Sequence, residues 1–135
     1  MAGIKYLLDT NICIYIAKHN PPNVKERFLQ LAASDLGMSI VTYGELCFGA
    51  EKSQNSTQTR AVVERLAEAI QIEALTPVVG IHYGEIRAQL QMAGTMIGNN
   101  DLWIAAHARA NGWTLVSNNT KEFERVDGLM LENWV

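Results

Sequence analysis

The sequence has little cysteine and no surplus of basic charge. Its 135 residues include two cysteines, too few for a disulfide framework or a four-cysteine zinc site. We therefore expect Cys13 and Cys47 to be reduced and packed as small apolar side chains. Eleven Lys and Arg against fourteen Asp and Glu leave a net charge of −3. Any nucleic acid must then be bound by local donors, because overall charge does not favour it.

Long apolar segments, internal repeats and low-complexity linkers are absent as well. The apolar run at residues 4–8 stops at Asp9 and is too short for a signal peptide or a membrane span. A hydrophobic fraction of 48% and a charged fraction of 19% are typical of a folded chain. We therefore expect a single domain over residues 1–135, located in the cytoplasm.

Short apolar strands alternate with amphipathic helices along the chain. The pattern predicts strands at residues 4–8, 36–41, 71–75, 113–116 and 129–131. Strands that are apolar along most of their length are typical of a parallel sheet covered on both faces. The sequence therefore predicts an α/β fold, a three-layer α/β/α sandwich with a mostly parallel central sheet of about five strands.

Three acidic residues fall where predicted strands and helices meet. Asp9 follows the first strand, Glu45 lies in the first turn after the second, and Asp101 opens the helix that leads into the fourth. Ligands of open parallel sheets bind outside the carboxyl ends of the strands, so we expect these residues to lie close together. Neighbouring carboxylates repel one another unless a proton or a cation is bound. A site with only oxygen ligands suits Mg²⁺ or Mn²⁺.

Each of these acids also has a purely structural interpretation. The spacing of Thr42 and Glu45 matches a capping box, and Asp9 and Asp101 could be first-turn acids favoured by the helix dipole. A charge at the end of an apolar strand is costly to bury without a partner. The joint placement of the three acids therefore favours a metal site.

A fourth ligand would come from the segment that follows the fourth strand. Asn119 could supply a neutral oxygen and Glu122 a charged one, whereas an asparagine-rich turn with a solvated acid is the alternative. Thr10 and Asn11 could orient Asp9, although helix capping also explains them.

Four motifs in this order resemble the PIN-domain ribonucleases and, more narrowly, the VapC toxins of type II toxin–antitoxin pairs. The motifs are an apolar strand ending in Asp9-Thr10-Asn11, then Thr42-x-x-Glu45, Asp101-Leu-Trp-Ile-Ala-Ala-His-Ala108 and Leu115-Val-Ser-Asn-Asn-x-x-Glu-Phe123. The resemblance implies a parallel sheet flanked by helices, a Mg²⁺- or Mn²⁺-dependent endoribonuclease activity and homodimerisation. It carries over Asp9, Glu45 and Asp101 as the metal-binding carboxylates. Many relatives have a further acid, often Asp, near the position of Asn119, so the number of metal ions stays open.

The resemblance also implies partners. The substrate is expected to be a structured RNA such as tRNA, in particular the anticodon loop of the initiator tRNA. A VapB-type antitoxin is expected in a groove near the acidic residues, where a basic side chain would displace the metal, and operator DNA is expected to be bound through the antitoxin. Cations that could hold RNA phosphates, although each is more often solvated, are Lys18, Lys25, Arg27, Lys52, Arg87 and Lys121.

Three other interpretations compete with a nuclease. A receiver domain of two-component signalling needs two adjacent acids after the first strand, and here only Asp9 is present. A haloacid-dehalogenase-type phosphatase needs an aspartate where Asn11 stands. A catalytically silent PIN fold that binds protein or RNA stays open, because the usual fourth aspartate is missing.

Overall fold

The computed structural model describes residues 3–135 and contains a five-stranded sheet with helices on both faces. Met1 and Ala2, which belong to the predicted domain, lie outside the described residues. The elements in chain order are β1 (Tyr6–Leu8), α1 (Thr10–Lys18), α2 (Pro22–Gln30), a 3-10 turn (Ala33–Asp35), β2 (Leu36–Ser39), α3 (Ile40–Glu51), α4 (Ser56–Ala69), β3 (Gln71–Glu73), α5 (Pro77–Ala93), α6 (Asn99–Asn111), β4 (Thr114–Val116), α7 (Thr120–Phe123) and β5 (Leu131–Glu132).

All pairings between the described strands are parallel, and the strand order is β3-β2-β1-β4-β5. The central strand β1 places Leu7 opposite Gly37 of β2 and Leu115 of β4. The chain runs outward from β1 to β3 and then returns to the other side of β1 as β4, so the order reverses between β1 and β4. Such a reversal separates the connecting loops and opens a crevice at the carboxyl ends of the strands.

The sheet separates two hydrophobic cores. Leu7 and Leu115 pack against α5 and α6, whereas Leu8 and Val116 pack against α1 to α4. Successive residues of a strand point to opposite faces, so these short apolar strands contribute to both cores. The predicted three-layer sandwich with a parallel central sheet is confirmed.

The capping box predicted for Thr42 and Glu45 is wrong. Strand β2 ends at Ser39, two residues before its predicted end at residue 41, and α3 begins at Ile40. Ser39 is the N-cap, and its hydroxyl accepts a hydrogen bond of 3.1 Å from the Val41 backbone N–H. Thr42 and Glu45 therefore lie inside α3, and the Glu45 carboxylate is free for contacts with other elements.

Two further boundaries differ from the prediction near the carboxyl ends of the strands. Helix α6 begins at Asn99, so Asp101 lies within its first turn. Four residues of the expected asparagine-rich turn form the short helix α7, which begins directly after Asn119. The first shift leaves Asp101 in the first turn of its helix, as predicted, and the second places Glu122 in a first turn instead of a loop. Backbone N–H groups favour negative charge at such positions.

Both cysteines are free thiols, and Cys13 is buried in the core that faces α1 to α4. Burial and the Asp9 charge raise the pKa of the Cys13 thiol, which stays protonated. Its Sγ lies 3.9 Å from the Leu8 carbonyl oxygen. No helix within residues 3–135 has both the length and the apolar character that crossing a membrane requires.

Candidate functional site

Asp9 is built into the junction of two central strands. It is the N-cap of α1, it follows β1 directly and only 5% of it is exposed. Its Oδ1 accepts a hydrogen bond of 2.7 Å from the Thr10 backbone N–H, and its Oδ2 accepts one of 2.7 Å from the Ser117 hydroxyl at the end of β4. Burial raises the pKa of Asp9, and the hydrogen bonds from Ser117 and Thr10 partly oppose that shift. The carboxylates of Glu45 and Glu122 raise it further.

Glu45 is held beside Asp9 through Thr10. The Thr10 hydroxyl donates a hydrogen bond of 2.6 Å to Glu45 Oε1. The same hydroxyl oxygen lies 3.2 Å from that of Thr42, which is buried one turn before Glu45 on α3. Thr10 therefore orients two acids at once, one through its backbone and one through its side chain.

Asp101 lies close to Asp9 and Glu45, but its helix packs on the opposite face of the sheet from α1 and α3. It lies in the first turn of α6 and lines a cavity of about 380 Å³ together with Glu45 and residues 98–100. Burial and the charge on Asp9, reinforced by Glu122 and Glu45, raise the pKa of Asp101 to about 7. The structure therefore brings the three predicted carboxylates into one electrostatic group.

Asn119 and Glu122 contact each other directly. The Asn119 side-chain amide donates a hydrogen bond of 2.9 Å to Glu122 Oε2, and the Asn119 backbone N–H donates one of 3.0 Å to the Ser117 hydroxyl. Glu122 is also close enough to Asp101 to raise the pKa of that carboxyl. In this arrangement Asn119 orients the Glu122 side chain, and which of the two completes a metal site stays a prediction.

The donor set fits a hard divalent cation in its chemistry and charge. Among residues 3–135 no three acidic, histidine or cysteine side chains form a ready-made metal-binding group. However, Asp9, Glu45, Asp101 and Glu122 supply only oxygen ligands, and their mutual repulsion contributes to the raised pKa values of Asp9 and Asp101. A proton or a cation relieves such repulsion, and carboxylate oxygens are the ligands that Mg²⁺ and Mn²⁺ prefer.

Ser117 and Thr42 support the site, although from the sequence Ser117 was assigned no role and Thr42 only that of a helix cap. Ser117 is fully buried and fixes Asp9. It follows β4 directly, as Asp9 follows β1, so a polar residue at the end of a neighbouring apolar strand was the available signal. Asn11, which was considered as a support for Asp9, is exposed.

An apolar groove leads away from the acidic group between α1, α3 and α4. It has a volume of about 460 Å³, and Thr10 and Glu45 lie on its lining. Its apolar lining includes Ile14, Ala17, Leu46, Val62, Val63 and Leu66. The groove therefore joins an apolar surface to a carboxylate at the site.

Comparison with known proteins matches nearly the whole chain to one family. The model of the PIN domain matches residues 6–129. Ribonuclease VapC2 of Haemophilus influenzae is 46% identical over 132 residues, which are 98% of this chain and 99% of that protein. The tRNA(fMet)-specific endonuclease VapC of Shigella flexneri is 44% identical over 131 residues, 97% of this chain and 98% of that protein.

A solved structure has the same fold over the same length. The crystal structure of DNA-bound VapBC from Salmonella typhimurium contains a chain that is 40% identical and superimposes with a TM-score of 0.92. The match covers 98% of this chain and 99% of that chain.

Proposed function

This chain belongs to the PIN-domain family and, within it, to the VapC ribonucleases, and from this premise we propose that it is the metal-dependent endoribonuclease toxin of a type II toxin–antitoxin pair. It is an enzyme that acts on RNA. The proposal adds the metal, the substrate and the residues that carry out the reaction.

The observation that carries the proposal is the environment of Asp9. A buried aspartate follows the central strand, is fixed by Ser117 of the neighbouring strand and interacts electrostatically with three other acids. Burying a carboxylate beside other carboxylates destabilises a fold unless a ligand compensates the charge. The purely structural interpretation, first-turn acids favoured by helix dipoles, does not explain why the four acids share one site.

The residues have distinct roles in the proposed reaction. Asp9, Glu45 and Asp101 would hold the ion, with Asn119 or Glu122 completing the site. Mg²⁺ or Mn²⁺ would supply Lewis-acid activation of water and of the scissile phosphodiester. Ser117 and the Thr10 backbone keep Asp9 in one orientation, and the Thr10 hydroxyl does the same for Glu45. His107 is buried and hydrogen-bonded to Ser39, so we do not assign it as a general base.

We propose tRNA as the substrate, with the anticodon loop of the initiator tRNA as the specific target. The similar Shigella flexneri protein is a tRNA(fMet)-specific endonuclease. Unpaired bases in loops are the usual targets of sequence-specific RNA recognition, and the cavity beside Glu45 and Asp101 is open to such a loop. Cleavage of this tRNA would stop translation. Since translation takes place in the cytoplasm, we propose that the enzyme acts there.

A VapB-type antitoxin is the proposed protein partner. The apolar groove between α1, α3 and α4 suits an amphipathic segment, and a basic side chain at its end would reach Glu45 and compete with the metal. We expect the toxin to form homodimers and to meet operator DNA only through the antitoxin, in keeping with the DNA-bound VapBC complex of Salmonella typhimurium. If the antitoxin left Mg²⁺ affinity and cleavage unchanged, this part of the proposal would be wrong.

The proposal is tested by incubating the purified protein with initiator tRNA and with total cellular RNA. The reactions contain Mg²⁺, Mn²⁺ or EDTA, and Asp9→Asn, Asp101→Asn and the exposed-site control Asp127→Asn are assayed in parallel. We expect discrete fragments that depend on metal and are lost in the first two variants only. Sequencing the fragment ends then locates the cut.

A second readout separates metal binding from catalysis. Mg²⁺ or Mn²⁺ should raise the Tm of the wild type and of Asp127→Asn, and should raise that of Asp9→Asn and Asp101→Asn much less. Metal binding without any RNA cleavage would instead favour the catalytically silent binding module. Equal cleavage by the wild type and the two site variants would show that the acids are structural.

A further inference from the structure

Arg87 is one of the cations that make no ion pair with a described carboxylate. Among residues 3–135 three arginines are committed to ion pairs, Arg27 with Glu132, Arg60 with Glu51 and Arg109 with Glu85. Arg87 on α5 is exposed and pairs with no described carboxylate. Four of its five N–H donors remain available after its one side-chain hydrogen bond, to Tyr83.

That hydrogen bond connects Arg87 to the cavity of the acidic site. Arg87 Nη1 donates to the Tyr83 hydroxyl at 2.8 Å, and this hydroxyl donates to Asn99 Oδ1 at 2.5 Å. Asn99 lines the same cavity as Glu45 and Asp101. Since the Asn99 oxygen accepts from Tyr83, its amide N–H groups are left to donate to a ligand in the cavity.

Tyr83 itself is held in place by stacking. Its ring lies on Trp103 of α6 with a centroid separation of 3.9 Å and an interplanar angle of 15°. Both rings are half-buried against the core on the α5 and α6 side of the sheet. The hydroxyl is therefore presented in a fixed position at the boundary between the two helices, as a preorganised binding site requires.

We propose that Arg87, Tyr83 and Asn99 form a subsite for the RNA backbone next to the cleaved bond. Arg87 binds a phosphate that flanks the scissile one, Asn99 donates to a backbone oxygen inside the cavity, and Tyr83 positions both. RNA approaching four carboxylates is repelled, so a cation beside them is needed to hold the flanking phosphates. Guanidinium groups are suited to this because their planar set of donors matches phosphate oxygens.

This inference deepens the proposed function and rests on it. Its test measures initiator tRNA cleavage by the full-length protein over a range of salt concentrations. The variants are Arg87→Ala, Arg87→Lys and Tyr83→Phe, and the matched control is Arg65→Ala, since Arg65 is also exposed and pairs with no described carboxylate. RNA binding in EDTA is measured beside cleavage by fluorescence anisotropy.

We expect Arg87→Ala to raise KM about tenfold and to reduce the slope of log(kcat/KM) against log[salt] by about 0.7, the contribution of one phosphate contact. Arg87→Lys should retain the slope because it keeps the charge. Tyr83→Phe should lower kcat/KM severalfold with the slope unchanged, and Arg65→Ala should behave as the wild type. The Tm should stay within a few degrees of the wild type in all four.

Wild-type KM and slope in Arg87→Ala would overturn the inference. So would a change of oligomeric state in Arg87→Ala, measured by analytical ultracentrifugation, because Arg87 would then lie at a contact between copies of the chain. If the wild type cut no RNA, the proposed function would fail by itself. The anisotropy measurement in EDTA would still decide whether Arg87 contributes a phosphate contact.

Discussion

Asp9 and Asp101 both lie at the start of a helix, but their surroundings differ. Asp9 is the N-cap of α1, and both of its oxygens accept hydrogen bonds from protein donors. Asp101 lies in the first turn of α6, whose N-cap Gly98 offers no side chain. Among the described residues, no side chain or backbone N–H donates a hydrogen bond to the Asp101 carboxylate, and the acids around it raise its pKa. One aspartate is therefore oriented by the fold, and the other is left for a ligand.

The largest expected effect is one that both aspartates share. Asp9→Asn and Asp101→Asn should each lower kcat/KM for tRNA cleavage by about a thousandfold, because the proposed metal site would lose a ligand and with it several kcal/mol of transition-state stabilisation. Single-turnover cleavage at saturating Mg²⁺ is the measurement. Activity within tenfold of the wild type in either variant would remove that residue from the metal site.

Ser117→Ala tests whether the orientation of Asp9 comes from the fold. The substitution removes the hydroxyl that bonds Asp9 and leaves the Asn119 N–H without its acceptor. We expect a loss of about 1–3 kcal/mol in the free energy of unfolding, measured by urea denaturation. Cleavage should fall as well, since Asp9 loses its fixed position. A Thr95→Ala control should leave both quantities unchanged, because Thr95 is an exposed residue outside the site.

Asp101→Asn should stabilise the metal-free protein, in contrast to Ser117→Ala. Asp101 has a pKa of about 7 in the folded protein against 3.8 for an ordinary aspartate. The folded protein therefore binds the Asp101 proton more tightly than the unfolded chain does. This contribution to the free energy of unfolding is fully present below about pH 4 and is lost as the pH rises through about 7. At about pH 8 the variant should have a Tm a few degrees above that of the wild type in EDTA, and at low pH the difference should vanish. A lower Tm at both pH values would mean that the carboxylate makes structural contacts.

The smallest expected effect is the pH dependence of stability caused by His107, which lies on α6 beyond the first turn that carries Asp101. His107 is buried, and its Nδ1 lies 2.8 Å from the hydroxyl of Ser39, the N-cap of α3. Burial lowers the pKa of His107, against a smaller opposing effect of the Ala74 backbone. The unfolded chain therefore binds more protons, and stability should fall as the pH drops through the ordinary histidine value of about 6.5. His107→Gln should show a smaller loss of Tm between about pH 7.5 and pH 5.5 than the wild type, measured by thermal denaturation.

The fold was largely predictable from the sequence, and its helix boundaries were less so. The alternation of apolar strands and amphipathic helices predicted a parallel three-layer sandwich, which is confirmed. The start of α3 was missed because Ser39 and Thr42 are both good capping residues, and local propensity does not choose between them. The choice follows from tertiary contacts, since Thr42 packs against Thr10 of another helix.

The acids of the candidate site could be named from the sequence, but the groups that organise them could not. Asp9, Glu45 and Asp101 could be named because each follows or precedes an apolar strand. Ser117 binds Asp9 across 108 positions of sequence, and its identity as a support depends on β1 and β4 being neighbours. The link from Arg87 through Tyr83 to Asn99 likewise requires α5 and α6 to pack side by side.

By itself the sequence determined the class of the fold, the residue types available at the carboxyl ends of the strands and the sign of their charge. These follow from local periodicity and from the positions of acids relative to apolar runs. Only the tertiary structure decided which aspartate is satisfied by the protein and which is not. Hydrogen bonding and burial depend on atoms from distant segments, so the differing surroundings of Asp9 and Asp101 exist only once the strands are paired and the helices are packed.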